Sequence, residues 1–545
     1  MKTYYRPSFS LAAPRPLRQW SATRTHDTRP RMPADPPAPP PQDIPAPASL
    51  ARRVAVGTAW LVGARLASRT LGLVSTLVLA RILVPADFGL IAMATAFSQS
   101  VDALSMAGLQ DALIRHPEEG PDLYDTAFTM QAIRGCLTAA LIALAAPFAG
   151  DWFGAPRLAS ILLVLAALAA LEGFENPAVA AFQRDFRYGR EFIIRVAPRI
   201  AQVAVAVVAG VLLRSYWALI LAMVVGRVLR VAATYAAHPH RPSITLRRWR
   251  DLFGFSAWTW ATNVASIAWA RADAFIIAPA LGASVFGLYV IAWEVGVLPV
   301  TELIQPAAAA LFPGFAEARR HGRAQALSPL PVMLLLVLLM APLAVFISAA
   351  AGPIVAVLLG ARWLAAQPLV AIAALSCFLS PVAWVSGSLL LAAGRTARQF
   401  AIVAASSAAR VAMLVLAVRT RDIAFVAWFS VASLAVECAL YTAVLRSAGE
   451  IRLRDGLGPL ARIAAAAVAA ALAAWASGWG WRHFAVAAPL LALLGAARVA
   501  ALVAFVFVAA LAVIWRIAGV PDGPEQRAAA LLRRLALQWR GTRPA

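Results

Sequence analysis

Lysine is almost missing from this chain: Lys2 is the single one, and every other fixed side-chain cation is arginine. A nucleotide-hydrolysing phosphate loop needs a lysine inside the chain, so the chain is not itself an ATPase. Cysteine is scarce as well. Cys136, Cys377 and Cys438 stand singly on apolar stretches, with no CxxC pair and no disulfide framework. They read as small packing residues. The 6 histidines are scattered. There is no HExxH, no His/Cys group at metal spacing, no GxSxG and no DxD. No metal site, catalytic residue or cofactor is implied. Acidic residues are also few, 26 against 49 basic ones, for a formal net charge of +23.

What is present is apolar side chain. Of 545 residues 61% are hydrophobic and 14% charged, and the mean hydropathy is +0.74. A soluble chain is about half apolar and about a quarter charged. An excess this large cannot be hidden in one soluble core, because surface grows with size and must be covered. Lipid is the natural cover.

Residues 1–50 stand apart. The run PADPPAPPPQDIPAPA over 33–48 is Pro-rich and reads as extended and disordered. It has no apolar core of a signal peptide, and Met32 just before it is an alternative start. Apolar segments follow at 57–82, 87–108, 124–148, 157–178, 190–213, 215–237, 253–280, 284–311, 328–349, 367–392, 398–418, 422–445, 458–478 and 496–517. Each approaches the roughly 20 residues that span a bilayer as a helix. The stretch 350–362 is an extension of the ninth. The expectation is an all-α polytopic membrane protein of 12–14 helices.

Arginines sort to one side. They cluster before the first helix (Arg52, Arg53), after the fourth (Arg184, Arg187, Arg190), the sixth (Arg241, Arg247, Arg248, Arg250) and the eighth (Arg319, Arg320, Arg323). More follow the tenth (Arg395, Arg398) and the twelfth (Arg446, Arg452, Arg454). If helices alternate, all these loops share a side, with Arg419 and Arg421 the exceptions. The positive-inside rule then places both termini in the cytoplasm and accounts for most of the charge, so no nucleic-acid partner is needed. The tail 524–541 has basic and apolar faces and suits an amphipathic helix on the inner leaflet.

The chain also resembles itself. Setting 78–94 above 276–292 pairs Ala80, Leu83, Phe88, Gly89, Leu90 and Ala94 with Ala278, Leu281, Phe286, Gly287, Leu288 and Ala292. In the same register Thr58-Ala59-Trp60 meets Ser256-Ala257-Trp258. The offset spans six helices, so both copies enter the membrane from one side. Such parallel repeats make two lobes around a central cavity, related by an axis along the membrane normal. The implied organisation is a disordered segment 1–50, a first lobe 51–238, a second lobe 239–450, an additional helix pair 451–520 and a cytoplasmic tail 521–545.

The residues of the repeat also carry a family pattern. The run Leu79-Ala80-Arg81-Ile82-Leu83-Val84-Pro85-Ala86-Asp87-Phe88-Gly89 resembles the first helix hairpin of the Wzx-type polysaccharide flippases, within the multidrug/oligosaccharidyl-lipid/polysaccharide exporter superfamily. The segment 176–189, Arg271-Ala272-Asp273 with Leu281-Gly282 and Gly287-Leu288-Tyr289, and Leu359-Gly360-Ala361-Arg362-Trp363 resemble further parts of that family. The likeness covers about 53–450 and is nearest the lipopolysaccharide and colanic-acid exporter branch. It implies transport of an undecaprenyl-diphosphate-linked oligosaccharide from the cytoplasmic to the periplasmic leaflet of the bacterial inner membrane, by alternating access. Membrane lipids and that lipid-linked glycan are the implied partners, with a polysaccharide polymerase and other assembly proteins as further candidates. A drug/cation antiporter or a lipid II flippase of the same superfamily is the alternative. A membrane glycosyltransferase or polymerase would need carboxylates in sizeable loops, which are absent.

Charges inside the spans point the same way. A charge at the bilayer centre costs about 3 kcal/mol or more, so it faces a cavity or a partner. Arg65 and Arg69 share a helix face at i, i+4, about 12–18 Å into the first helix at ~1.5 Å per residue. With Arg134 they read as substrate-cavity residues, because a guanidinium fork matches phosphate oxygens. Arg195, Arg199, Arg227 and Arg230 lie nearer helix ends and read as paired or snorkelling. Arg271 and Asp273 are about 200° apart on a helical wheel, so they face different ways. Asp273 is the cavity candidate because its position matches the family pattern. Asp102, Glu294 and Arg271 read as ion-coupling sites or charge partners. Trp152, Trp217, Trp363, Trp479 and Trp481 near helix ends read as an interfacial belt.

Overall fold

The computed structural model describes residues 47–104, 113, 120–184, 188–252, 257–320, 328–482, 489–530 and 533. The Pro-rich run up to 46 and most of the amphipathic tail lie outside the described residues. The chain divides into two compact units, Met1–Arg52 and Arg53–Ala545. Of the first, residues 47–52 are described and are helical; everything below concerns the second.

The chain is a multi-pass, all-helical membrane protein, with no strand among the described residues. In chain order the first helices are α1 (Pro47–Ile82), α2 (Pro85–Leu104), α3 (Pro121–Trp152), α4 (Arg157–Gly173), the short α5 (Ala180–Arg184), α6 (Tyr188–Leu213) and α7 (Trp217–Ala237). The short α8 (Trp249–Leu252), α9 (Ala257–Gly296), α10 (Gln305–Arg320), α11 (Leu330–Ala349), α12 (Ala351–Leu358) and α13 (Gln367–Ala374) follow. The series closes with α14 (Ser376–Ala392), α15 (Thr396–Val418), α16 (Ile423–Ser447), α17 (Leu453–Ala476) and α18 (Pro489–Ile517). Among the described residues nine helices are long and apolar enough to cross a membrane, or eleven if each of two bent pairs is one span. Large apolar side chains point outward all round, including Leu212 at 75% and Phe505 at 74% exposure. Such surface needs lipid as its solvent.

Several spans differ from their sequence reading, for local reasons. α9 is 40 residues long, about 60 Å at 1.5 Å per residue, or twice a hydrocarbon core. Gly282, at φ 83 and ψ 167, breaks it into the seventh and eighth expected spans. The eighth stops at Gly296 and passes through a π-helical turn, Val300–Ile304, into α10. The fourth bends by 63° after Gly173, where Asn176 accepts a hydrogen bond from Ala178 N (3.0 Å) and donates one to the His240 carbonyl (2.9 Å). The tenth is α13 and α14, bent by 46° at Leu375. The stretch after the ninth is the separate helix α12 and a 3-10 turn, Ala361–Ala366.

The repeat residues touch each other. α2 lies along the second half of α9. A Cβ on Gly89 would stand 1.9 Å from the Ala283 carbonyl oxygen, and a Cβ on Gly287 would stand 1.9 Å from that of Pro85. Pro85 corresponds to Ala283 as Gly89 does to Gly287, so the contact is self-complementary. Close backbone approach of this kind needs small residues. Pro85 opens α2 where a missing N–H costs nothing, and Val84 N donates to Asp87 Oδ2 at 3.2 Å.

Beside this crossing the last turn of α1 is capped from the later half of the chain. Trp363 Nε1 donates to the Ala80 carbonyl (2.7 Å), Arg362 Nη1 to that of Ile82 (2.6 Å), and Arg81 to that of Val357. These bonds satisfy carbonyls that a helix end leaves open. The belt reading of Trp363 is therefore corrected. It is fully buried and edge-on to Phe88, while Trp152, at 66% exposure, faces outward.

Candidate functional site

On the first-half helices, a cavity of about 820 Å³ is bounded by α1, α6 and α7. Six arginines line it: Arg65 and Arg69 from α1, Arg195 and Arg199 from α6, Arg227 and Arg230 from α7. The i, i+4 spacing of the first two pairs puts each pair on one face. Four of the six have a carboxylate partner. Arg69 Nε meets Glu302 Oε1 at 2.6 Å, Arg195 meets Glu191 at 2.6 Å, Arg227 meets Glu172 at 2.6 Å and Arg230 meets Glu175 at 2.9 Å. Arg199 donates to Gln202 Oε1 at 2.9 Å, and neither it nor Arg65 has a carboxylate partner among the described residues. Two positive charges thus remain without an ion pair at this wall.

The sequence reading and this geometry meet only partly. Arg65 and Arg69 are brought together. Arg134 lies outside the lining and faces Asp102 at 3.6 Å. Arg195, Arg227 and Arg230 are paired, as read, yet they line the same cavity as Arg65 and Arg69. Glu294 lies in the field of Arg69. The carboxylates Glu172, Glu175, Glu191 and Glu302 were not singled out. Their signal was available only as charge near helix ends, which does not name partners.

A second cavity, about 520 Å³, lies among α9, α14, α15, α16 and the π-helical turn. Its wall carries Arg410, missed from sequence although it stands in the middle of the eleventh span. Arg410 Nη2 donates to both oxygens of Asp273 at 2.8 Å and Nη1 to Ser433 Oγ at 2.8 Å. Its guanidinium lies 4.5 Å from the centre of the Trp269 ring, a cation–π contact. Tyr289 donates to Asp273 Oδ2 at 3.0 Å. Asp273 is thereby committed to Arg410, and Arg271, on the other face, donates to Gln99. Glu437, also on the wall, has neither a hydrogen bond nor an ion pair among the described residues; it feels Arg410 only through its field.

The cavities adjoin. Arg69, on the first wall, donates to Thr301 Oγ1 at 3.0 Å, and Thr301 lines the second. The Arg69–Glu302 bridge is the partition. From Arg69 to Ala80, where the capping contacts begin, is eleven residues of α1, about 16 Å. The cavities therefore lie toward one end of the bundle and the Gly89–Gly287 crossing toward the other.

The family model described as polysaccharide biosynthesis protein matches residues 78–368, more than half of the chain. Among curated relatives, the succinoglycan biosynthesis transport protein ExoT of Rhizobium meliloti is 28% identical over 331 residues, 60% of this chain and 66% of that protein. The lipopolysaccharide biosynthesis protein WzxC of Escherichia coli is 24% identical over 277 residues, 49% of this chain and 56% of that protein. The chain thus spans a little over half to just under two-thirds of these relatives. Two solved structures share the fold. The lipid II flippase MurJ in its inward closed conformation has a TM-score of 0.66 at 12% identity, over 84% of this chain and 99% of that one. A multidrug resistance MATE family transporter, inward-facing, has a TM-score of 0.57 at 13% identity, over 70% and 95%.

Proposed function

The chain belongs to the polysaccharide biosynthesis protein family, and from that premise we propose that it is a flippase for an undecaprenyl-diphosphate-linked oligosaccharide used in surface polysaccharide synthesis. It acts as a transporter and not as an enzyme. The observation that carries this reading is the arginine-lined cavity with two guanidiniums left unpaired. A diphosphate diester carries two negative charges, and paired N–H donors replace the water it loses on entering the membrane. A cationic drug would be repelled from the same wall.

In this reading the arginine-rich loops face the cytoplasm, and so do both termini, in a bacterial inner membrane. Residues 51–238 and 239–450 form the two lobes. The diphosphate enters from the cytoplasmic side and lies on Arg65 and Arg199, while the polyprenyl chain stays in lipid. The Gly89–Gly287 crossing and the Trp363 cap form the periplasmic gate. Rocking the lobes parts that crossing and exposes the cargo to the other leaflet. The Arg69–Glu302 bridge joins the lobes on the cargo side, and a bound diphosphate competes with Glu302 for Arg69.

The test is complementation of a strain lacking its polysaccharide flippase, with surface polysaccharide as the readout. The intact chain restores it. Arg65→Ala and Arg199→Ala each lower the yield by about ten-fold or more, as expected for losing a charge-assisted bond worth about 1.5–3 kcal/mol. Protein levels and thermal unfolding stay unchanged, because neither arginine holds a carboxylate in place. Full export by the Arg65→Ala/Arg199→Ala protein would defeat the reading.

A further inference from the structure

The second cavity has a different chemistry from the first. Its wall carries the indoles Trp269 and Trp384, the amide Gln399, the hydroxyl Ser376 and the carboxylate Glu437. Trp384 is 44% exposed, so its ring is open to a ligand. Four buried polar atoms of residues that line it have no hydrogen-bond partner among the described residues: Trp269 Nε1, Ser376 Oγ, Gln399 Oε1 and Arg410 Nε. Orphaned polar atoms inside a protein are uncommon and costly, and here they gather at one place. Together they include donors and acceptors. Glu437 adds a carboxyl group without a direct partner among the described residues.

We infer that this cavity is the glycan subsite of the transporter, holding the sugar residues next to the diphosphate. The inference rests on the flippase reading above. A sugar ring offers apolar C–H faces that lie flat on an indole, and a rim of hydroxyls that both donate and accept. Indole faces, an amide, a hydroxyl and a carboxylate answer both features. Its 520 Å³ lies within the range of ligand pockets, about 300–1,000 Å³. The position is also right. Arg69 on the wall of the arginine cavity bonds Thr301 on the wall of this one at 3.0 Å, which puts the two within reach of a glycan joined to its diphosphate. The fixed charge of Arg410 beside Glu437 disfavours a second, bound cation there.

Equilibrium binding to the full chain in lipid nanodiscs tests this. The probes are undecaprenyl diphosphate alone and the same lipid carrying one glucose, galactose or N-acetylglucosamine. At least one glycosylated probe is expected to bind about ten-fold more tightly than the bare carrier. Glu437→Gln, nearly isosteric, and Trp384→Leu, at a partly exposed position, bring that ratio to about one without weakening the bare carrier. Arg65→Ala weakens all probes alike. Equal binding of all probes to the unaltered chain, or a ratio untouched by both variants, overturns the subsite while leaving the diphosphate site intact. A Glu437→Gln protein that keeps the ratio but loses sodium or proton dependence of transport makes the cavity an ion-coupling site and overturns the inference. Binding of no probe at all overturns the flippase reading, and the subsite with it.

Discussion

A guanidinium inside a membrane must be answered, and the arginines here are answered in three ways. Arg410 is held within one half of the chain by Asp273, Ser433 and the Trp269 ring. Removing one partner from such a buried pair leaves the other charge uncompensated, at a cost of about 3–5 kcal/mol. Asp273→Asn is therefore expected to lower the midpoint of thermal unfolding in detergent sharply. The double variant Asp273→Leu/Arg410→Met regains most of the loss, because a well-packed apolar pair of similar size often replaces an ion pair at little cost. Arg69 is answered across the partition by Glu302. The single change Arg69→Glu sets two carboxylates together and destabilises. The swap Arg69→Glu/Glu302→Arg is expected to recover unfolding temperature but not export, since it sets a carboxylate on the cavity wall beside Arg65. Arg65 and Arg199 have no carboxylate partner among the described residues, and Arg199 is held by Gln202. Arg65 was legible from its depth in the first span. Arg199 was not, because its distance from a helix end could not distinguish a cavity wall from snorkelling.

At the scale of elements, the governing feature is the crossing of α2 with the second half of α9. The repeat was visible in sequence as a Phe-Gly-Leu match and a Trp match held in one register. That the two copies meet face to face was not, because a repeat defines a symmetry without locating its axis. A Cβ 1.9 Å from a carbonyl oxygen cannot stand, so Gly89→Ala and Gly287→Ala must part the helices. Over-packing of this kind costs about 1–3 kcal/mol. Each variant is expected to lower the unfolding midpoint and to raise thiol labelling of a cysteine placed at the crossing, Ala86→Cys, since the gate loosens. Unchanged labelling would mean that the crossing is not the seal. Helix ends announced themselves through Pro85, Gly282 and Gly360, residues whose backbone is either restricted or free at positive φ. The bend at Leu375 and the π-helical turn at Val300–Ile304 gave no such sign, because a membrane helix yields to its neighbours and not to its own propensity.

At the scale of the whole molecule, the last helix pair is a buttress. α17 and α18 pack Ala466, Ala470, Ala474, Val499, Val503 and Phe507 against Val337, Ala341 and Val345 of α11. Glu525 at the start of the tail is bound by Arg462 of α17 at 2.7 and 3.2 Å. A chain ending at residue 450 strips this cover from α11 and α12 and leaves small residues shaped for helices, not for lipid. It is expected to elute as aggregate in size-exclusion chromatography, whereas Arg462→Gln in the full chain remains monodisperse and only loses unfolding temperature. What the sequence by itself determined was the solvent, the helical class and the internal likeness of its two hairpins. Those follow from composition and from spacing near a bilayer's thickness, both of them local or periodic quantities. The tertiary structure alone decided which charges share a wall. Arg65 lies more than a hundred residues before Arg199 and Arg227, which stand on the consecutive helices α6 and α7, and Arg69 finds Glu302 more than two hundred residues away. Partnership between buried charges depends on the rotation of each helix about its own axis, and packing sets that rotation.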